Sequence, residues 1–202
     1  MPRIYQRKVK APGILAFLSG FVLMLVVGWV VFPMVLYSEK TQPINFSHVK
    51  HGSQVGLTCD DCHSFRPDGT FAGIPRVSNC AECHQVLNTF SPDEKILLEE
   101  YIQPGKEIPW HVYSRQPICV YFPHAPHVKM AELECRVCHG PKDTEDKLPA
   151  YEENRLTGYS REIWGKNISG WSPNTWDSMK MTDCGDCHSQ RGVSNHCFVC
   201  HK

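Results

Sequence analysis

The pattern C-x-x-C-H occurs five times in this chain: Cys59-Cys62-His63, Cys80-Cys83-His84, Cys135-Cys138-His139, Cys184-Cys187-His188 and Cys197-Cys200-His201. It takes up ten of the eleven cysteines, which leaves no material for a disulfide framework. The spacing is that of c-type haem attachment. Two thiols add to the two vinyl groups of a porphyrin, two intervening residues set the thiols at the vinyl separation, and the adjacent His reaches the iron. C-x-x-C pairs also hold zinc, but zinc does not require a His after every second Cys. A thioredoxin-like pair needs a single C-x-x-C in a βαβ context, which is absent here. At this Cys and His abundance, chance would give roughly 0.03 such motifs. The cofactor expected from the motifs is haem c, at five sites.

Ala11 to Ser38 carries no charged side chain and is built mainly from Leu, Val, Phe, Ile and Gly. About 20 apolar residues span a bilayer as a helix. A signal peptide has a shorter apolar region and a small-x-small cleavage site, and this run ends instead in Phe32-Pro33-Met34-Val35-Leu36-Tyr37. A retained anchor is therefore expected. Arg3, Arg7, Lys8 and Lys10 precede it, so the positive-inside rule leaves the amino terminus in the cytoplasm and exports the rest. Trp29 and Tyr37 lie toward its outer end, where interfacial aromatics are common. The expected location is the inner membrane, single-pass, with the haem domain in the periplasm.

The whole chain balances 21 basic against 21 acidic residues, which gives no reason to expect nucleic-acid binding. All the acidic residues follow the anchor and four basic ones precede it, so the exported part has a formal charge of −4. That part is polar, rich in Pro and Gly, and short of periodic apolar stripes. Such a chain struggles to build a protein-only core, and crowded porphyrins are expected to fill it. Four segments follow: a basic tail over 1–10, the anchor over 11–38, a first haem-binding half over 39–103 with two motifs, and a second over 104–202 with three.

Six histidines lie outside the motifs: His48, His51, His111, His124, His127 and His196. Five irons with two imidazoles each need five more ligands, so the supply suffices with one to spare. Bis-histidine coordination gives low-spin centres suited to electron transfer, with no open position for substrate. Met179 and Met181 are weaker ligand candidates while spare histidines remain. An internal repeat orders the histidines. Phe46-Ser-His48-Val-Lys-His51, seven residues, then Cys59-Asp-Asp-Cys62-His63 matches Phe122-Pro-His124-Ala-Pro-His127, seven residues, then Cys135-Arg-Val-Cys138-His139. Fixed-offset similarity of this kind indicates a duplicated structural unit.

F-x-H-x-x-H followed by C-x-x-C-H resembles the class III multihaem cytochromes c. That resemblance implies that His48 stands opposite His63 and His124 opposite His139, while His51 and His127 serve haems elsewhere in their own halves. His196 directly precedes Cys197, which favours a neighbouring haem over its own. The segments Ile108-Pro-Trp-His-Val-Tyr, Val120-Tyr-Phe-Pro-His124 and Arg191-Gly-Val-Ser-Asn-His-Cys197 narrow the likeness. They are similar to the membrane-anchored multihaem subunit of alternative complex III and of the quinone reductase complex (Qrc) of sulfate reducers. The expected fold is thus a multihaem class III-like cytochrome c: sparse short helices and loops around stacked haems, with one N-terminal transmembrane helix.

The resemblance implies a function in a respiratory chain. The chain would relay electrons between a soluble periplasmic cytochrome c and menaquinone-reducing partners, as part of sulfate respiration and not as a catalyst by itself. The partners implied are an integral membrane quinone-binding subunit and an iron–sulfur/molybdopterin-like periplasmic subunit. The alternatives are a quinol-oxidising alternative complex III subunit or an anchored quinol dehydrogenase cytochrome. The latter typically has a Met close after its first motif, where this chain has Ser64-Phe65-Arg66-Pro67-Asp68. A small-molecule reductase needs an open iron position, and five motif histidines with plentiful second ligands argue against one.

Cys119 has neither a partner Cys nor a following His, and the family it resembles has a plain aromatic segment there. Two readings stand: a free thiol, or a sixth haem held by a single thioether with His111 or another free His on its iron. Twelve histidines would be needed for six bis-histidine haems and the chain has 11. Elsewhere, Ser91-Pro92-Asp93-Glu94 predicts a helix start with Ser91 as cap, running through Tyr101 and stopping before Pro104 as a spacer between the halves. Strands are expected only as a brief hairpin. Trp164, Trp171 and Trp176 are expected to pack on haem faces, with a docking surface as the alternative, and the Asn167 sequon is given no role.

Overall fold

The computed structural model describes residues 11–160, 174, 176 and 179–201. The uncharged run forms α1 (Ala11–Val26), which passes through one wide turn (Val27–Val31) into α2 (Phe32–Leu36). Pro33 explains the widening. A helical proline lacks a donor and crowds the carbonyl one turn back, and the Phe32 N–H just before it bonds to Val27 O, five residues back. Pro12–Leu36 is a helix of 25 residues, long and apolar enough to cross a membrane, and its most apolar stretch has no residue buried by the rest of the chain.

At Tyr37 the chain leaves the helix and becomes strand β1 (Tyr37–Lys40), which pairs antiparallel with β2 (Tyr151–Asn154). The register sets Tyr37 opposite Asn154 and Lys40 opposite Tyr151. Lys40 Nζ meets Glu153 Oε1 at 2.6 Å, and Arg155 N–H donates to Leu36 O at 2.8 Å. The brief strand pair expected from the sequence therefore joins segments far apart in the chain, and is no hairpin. It ties the end of the apolar helix to the second half.

Short helices carry the motifs: α3 (Cys59–Cys62), α4 (Val77–Ala81), α6 (Cys135–His139), α7 (Met181–Gln190) and α8 (Cys197–Cys200). Three of them start the same way. Asp61, Asn79 and Asp183 each turn a side-chain oxygen back to the N–H of the residue three before, Thr58, Arg76 and Lys180, at 2.6, 3.2 and 2.7 Å. This satisfies a donor that a helix start leaves open.

α5 (Pro92–Ile96) continues as a wide-turn helix over Leu97–Ile102. Pro92 occupies the first turn as expected, but the Ser91 side chain makes no capping bond. Nor is the helix only a spacer. Leu97 and Tyr101 form the packed core with Ile44, Val77 and Ile108, and Leu98 is buried as well. Cys80 and Trp110 pack against that cluster. Val77 N–H donates to Glu107 Oε2 at 2.9 Å, fixing α4 and the second motif onto it. Burying each such side chain stabilises by about 1.5–3 kcal/mol, enough to hold one motif in place.

Candidate haem-binding site

The two copies of the repeat have the same local geometry. In the first, Phe46 stands edge-on to His48 at 5.0 Å and stacks on His51 at 4.4 Å, and His51 Nδ1 bonds to Ser47 O at 2.8 Å. In the second, Phe122 stands edge-on to His124 at 5.0 Å and stacks on His127 at 4.5 Å, and His127 Nδ1 bonds to Pro123 O at 2.9 Å. Each copy then makes a wide turn, over Lys50–Gln54 and Pro126–Met130. The Phe at the head of each repeat thus braces both histidines that follow it.

These histidines meet motif histidines in pairs. Ring centres of His124 and His139 are 6.3 Å apart with planes 6° from parallel. His127 and His188 are 6.1 Å apart at 17°, and His51 and His84 6.2 Å apart at 53°. His48 lies beside His63, whose charge bears on it. Two imidazoles on opposite sides of one metal ion, each with a metal–nitrogen bond of about 2 Å, have ring centres about 6 Å apart. The spacing of the His51–His84, His124–His139 and His127–His188 pairs fits an iron between the two rings.

Ring hydrogen bonds fit it too. A carbonyl can only accept, so a His bonded to one through Nδ1 carries its proton there and leaves the Nε2 lone pair free for metal. His51 and His127 are held this way, and His63 Nδ1 donates to Gly73 O at 2.7 Å. Gly73 has φ +76°, a conformation that favours glycine and turns its carbonyl to the ring. His84 Nδ1 instead meets a carboxylate, Glu94 Oε1, at 2.8 Å. Burial holds His48, His124 and His139 below the ordinary histidine value, which keeps them neutral and able to ligate. Burial also pushes the Glu94 carboxyl up, but hydrogen bonds from Thr89, Asn88 and His84 outweigh it and bring it down to about 2.

The attachment sulfurs form a row. Cys80 lies within electrostatic reach of Cys62, Cys135 of Cys59, Cys138 of Cys187, and Cys184 of both Cys138 and Cys200. These thiols stand where thioether sulfurs would be in the haem-loaded protein. By motif, these neighbours link the second to the first, the first to the third, the third to the fourth and the fourth to the fifth. Phe71 from the first half stacks on His124 at 4.1 Å and 23°, and Lys129 Nζ sits 4.4 Å from the Phe65 ring centre. The halves therefore meet at the first and third motifs.

The remaining predicted residues are placed less tightly. His111 is fixed through its backbone by the Gln42 amide, at 2.9 and 3.0 Å, and its ring stacks on Tyr151 at 5.1 Å. His196 caps α8 and is exposed. Cys119 is exposed, and the residues after it run along the fifth motif: Val120 bridges His201 and Tyr121 N–H donates to Cys200 O at 2.8 Å. Met181 is exposed at the start of α7. Trp176 packs on the third motif, where a Cβ on Gly140 would lie 2.6 Å from its ring. Trp164, Trp171 and Asn167 lie outside the described residues. Glu94, Phe71 and Gly73 were not singled out by sequence reasoning for these roles. The only available signal was an acidic residue in the first turn of a helix after a motif.

Comparison with known proteins agrees with this arrangement. The Class III cytochrome C family model matches residues 32–103. The chain is 42% identical to the menaquinone reductase multiheme cytochrome c subunit of Nitratidesulfovibrio vulgaris (strain Hildenborough), over 97% of this chain and 93% of that one. It is 23% identical, over 75% of its length, to the dissimilatory sulfite reductase MccA of Wolinella succinogenes, but spans only 23% of that protein. With the class III match and this full-length identity, the chain belongs to the family of that multihaem cytochrome c subunit and is an electron-transfer protein carrying haem c.

Proposed function

We propose that this chain is the membrane-anchored periplasmic subunit of a quinone-linked oxidoreductase complex. It relays electrons between a soluble periplasmic cytochrome c and menaquinone-reducing partner subunits. The observation that carries this is the row of attachment sulfurs with histidine pairs 6.1–6.3 Å apart along it. Haem c supplies one-electron redox chemistry when bound. The two cysteines of each motif would hold the ring, and the motif His with a second imidazole would be the residues offered to its iron. The name of the 42% identical relative supports menaquinone as the quinone pool.

The ligand assignment follows the pairs: His48 with His63, His51 with His84, His124 with His139, and His127 with His188. His201 is left with His111 or His196 as second ligand. Five haems sit at the five motifs in two halves, 39–103 and 104–202, outside an anchor over 11–38 whose basic tail stays in the cytoplasm. An integral quinone-binding subunit and an iron–sulfur or molybdopterin-like subunit complete the complex. An intact mass with five haem additions and an alkylatable Cys119 would leave that thiol structural. Six additions would put a haem on it.

The exported part is acidic, so a basic soluble cytochrome is steered toward it. The test is stopped-flow reduction of the membrane-purified complex by such a cytochrome, coupled to menaquinone reduction. Electron uptake that slows as salt rises, followed by quinone reduction, is the expected result. Haems that take up electrons without any reaching quinone would overturn the proposal.

A further inference from the structure

Among the described residues, four of the candidate iron ligands have a hydrogen-bond partner at Nδ1, and three of those partners are neutral backbone carbonyls: Ser47 O, Gly73 O and Pro123 O. His84 is the exception, with the Glu94 carboxylate at 2.8 Å. Glu94 is only 7% exposed, in the first turn of α5 beside the core. Its oxygens also accept from Asn88 N–H at 3.0 Å, Thr89 N–H at 2.7 Å and the Thr89 hydroxyl. Four donors on one carboxylate hold it in place against the ring. Among the described residues, no other histidine has a carboxylate partner at salt-bridge distance.

An imidazole whose N–H points at a carboxylate is a more basic, more electron-donating ligand. Stronger donation, together with a negative charge fixed in a region of low dielectric, stabilises ferric iron over ferrous and lowers the potential. Neutral carbonyls do this far less. We propose that Glu94 acts through His84 as a positioning residue, making the haem at Cys80 and Cys83 the most negative of the five. This rests on the bis-histidine ligation argued above. The transfer concerned moves one electron onto ferric iron, making it ferrous, with no bond formed or broken. Cys80 has the first motif's Cys62 as its neighbour, at one end of the row. An electron delivered there by a strongly reducing protein donor therefore runs downhill toward the fifth motif.

The experiment is a spectroelectrochemical titration of the haem-loaded full chain and its Glu94→Gln variant. The lowest midpoint is expected to rise by the equivalent of about a tenfold change in the ferric/ferrous equilibrium, ~59 mV for one electron, while the others stay nearly fixed. An unmoved lowest midpoint, or a shift confined to a higher one, would overturn the proposal. If Glu94→Gln fails to load haem, the wild-type protein decides. In NMR at graded potentials, with haem methyl signals assigned through contacts to Cys80 and Cys83, that haem is expected to be reduced last, and another haem reduced last would overturn the proposal. A high-spin iron at His84 would instead overturn the ligation beneath it, so the two failures are distinguishable.

Discussion

The two repeats that follow the apolar helix share a Phe-His-His unit and differ in what surrounds it. Phe46-His48-His51 and Phe122-His124-His127 agree to within 0.1 Å in their ring spacings. Yet every buried apolar residue among those described lies between Ile44 and Ile108, so the packed protein core belongs to the first repeat and its borders. The second repeat is held by backbone turns, by the strand pair with Tyr37–Lys40, and by contacts with the first. The same local geometry is therefore reached by two routes, one packed on a buried apolar cluster and one without such a cluster among the described residues. The first route also brings in Glu94, while among the described residues no carboxylate stands at salt-bridge distance from His188.

The largest expected effect comes from breaking the join. Replacing Cys135 and Cys138 together by Ala removes the haem where the halves touch. Intact mass is expected to drop by one haem, and cytochrome-driven menaquinone reduction to fall to background. Full turnover would show that electrons do not cross at the third motif. Next comes the difference in cores. Leu97→Ala is expected to destabilise the loaded protein by on the order of 3 kcal/mol, and Leu156→Ala, at a residue 82% exposed, by less than about 0.5 kcal/mol. Equal losses in denaturant unfolding would erase the distinction between the halves.

Phe71→Leu probes the contact between them more gently. Losing the stack on His124 is expected to cost about 1 kcal/mol and to loosen the third haem while sparing the second, read as hydrogen exchange at residues 122–130. The smallest effect concerns the loop that carries Phe71. Hydrogen bonds from the Thr70 hydroxyl and N–H hold the Asp68 carboxyl below its ordinary value. A depressed folded value contributes stability that is present above the unfolded pKa and lost as pH falls through the folded one. Thermal unfolding of Asp68→Asn is thus expected to differ slightly from the natural chain at pH 7 and to converge with it in acid. A gap that widens in acid would reverse that sign.

Covalent and local features were legible in the sequence. The motifs, the repeat that begins at Phe46 and again at Phe122, and the apolar helix are read directly, because each depends on residue types at fixed spacing. The helix after Ser91 was legible too, but its role was not. Ile96, Leu97, Leu98 and Tyr101 make too short a stripe to announce a core, and only the fold brings Ile44, Val77 and Ile108 to it. The pairing of Tyr37–Lys40 with Tyr151–Asn154 left no trace, since both segments are short and polar without alternation. Glu94 reads as an ordinary first-turn acid until the loop through Asn88 and Thr89 folds it onto His84. Resemblance alone implied that His51 and His127 serve other haems of their own halves; the structure sets them beside His84 and His188.

The central claim is that every motif iron has an imidazole on both faces. Electron paramagnetic resonance of the fully oxidised, haem-loaded chain, integrated against total iron, tests it most directly. Two imidazoles give low-spin ferric iron, so the account predicts that all the iron is low-spin. A high-spin signal amounting to one iron in five or more would contradict it.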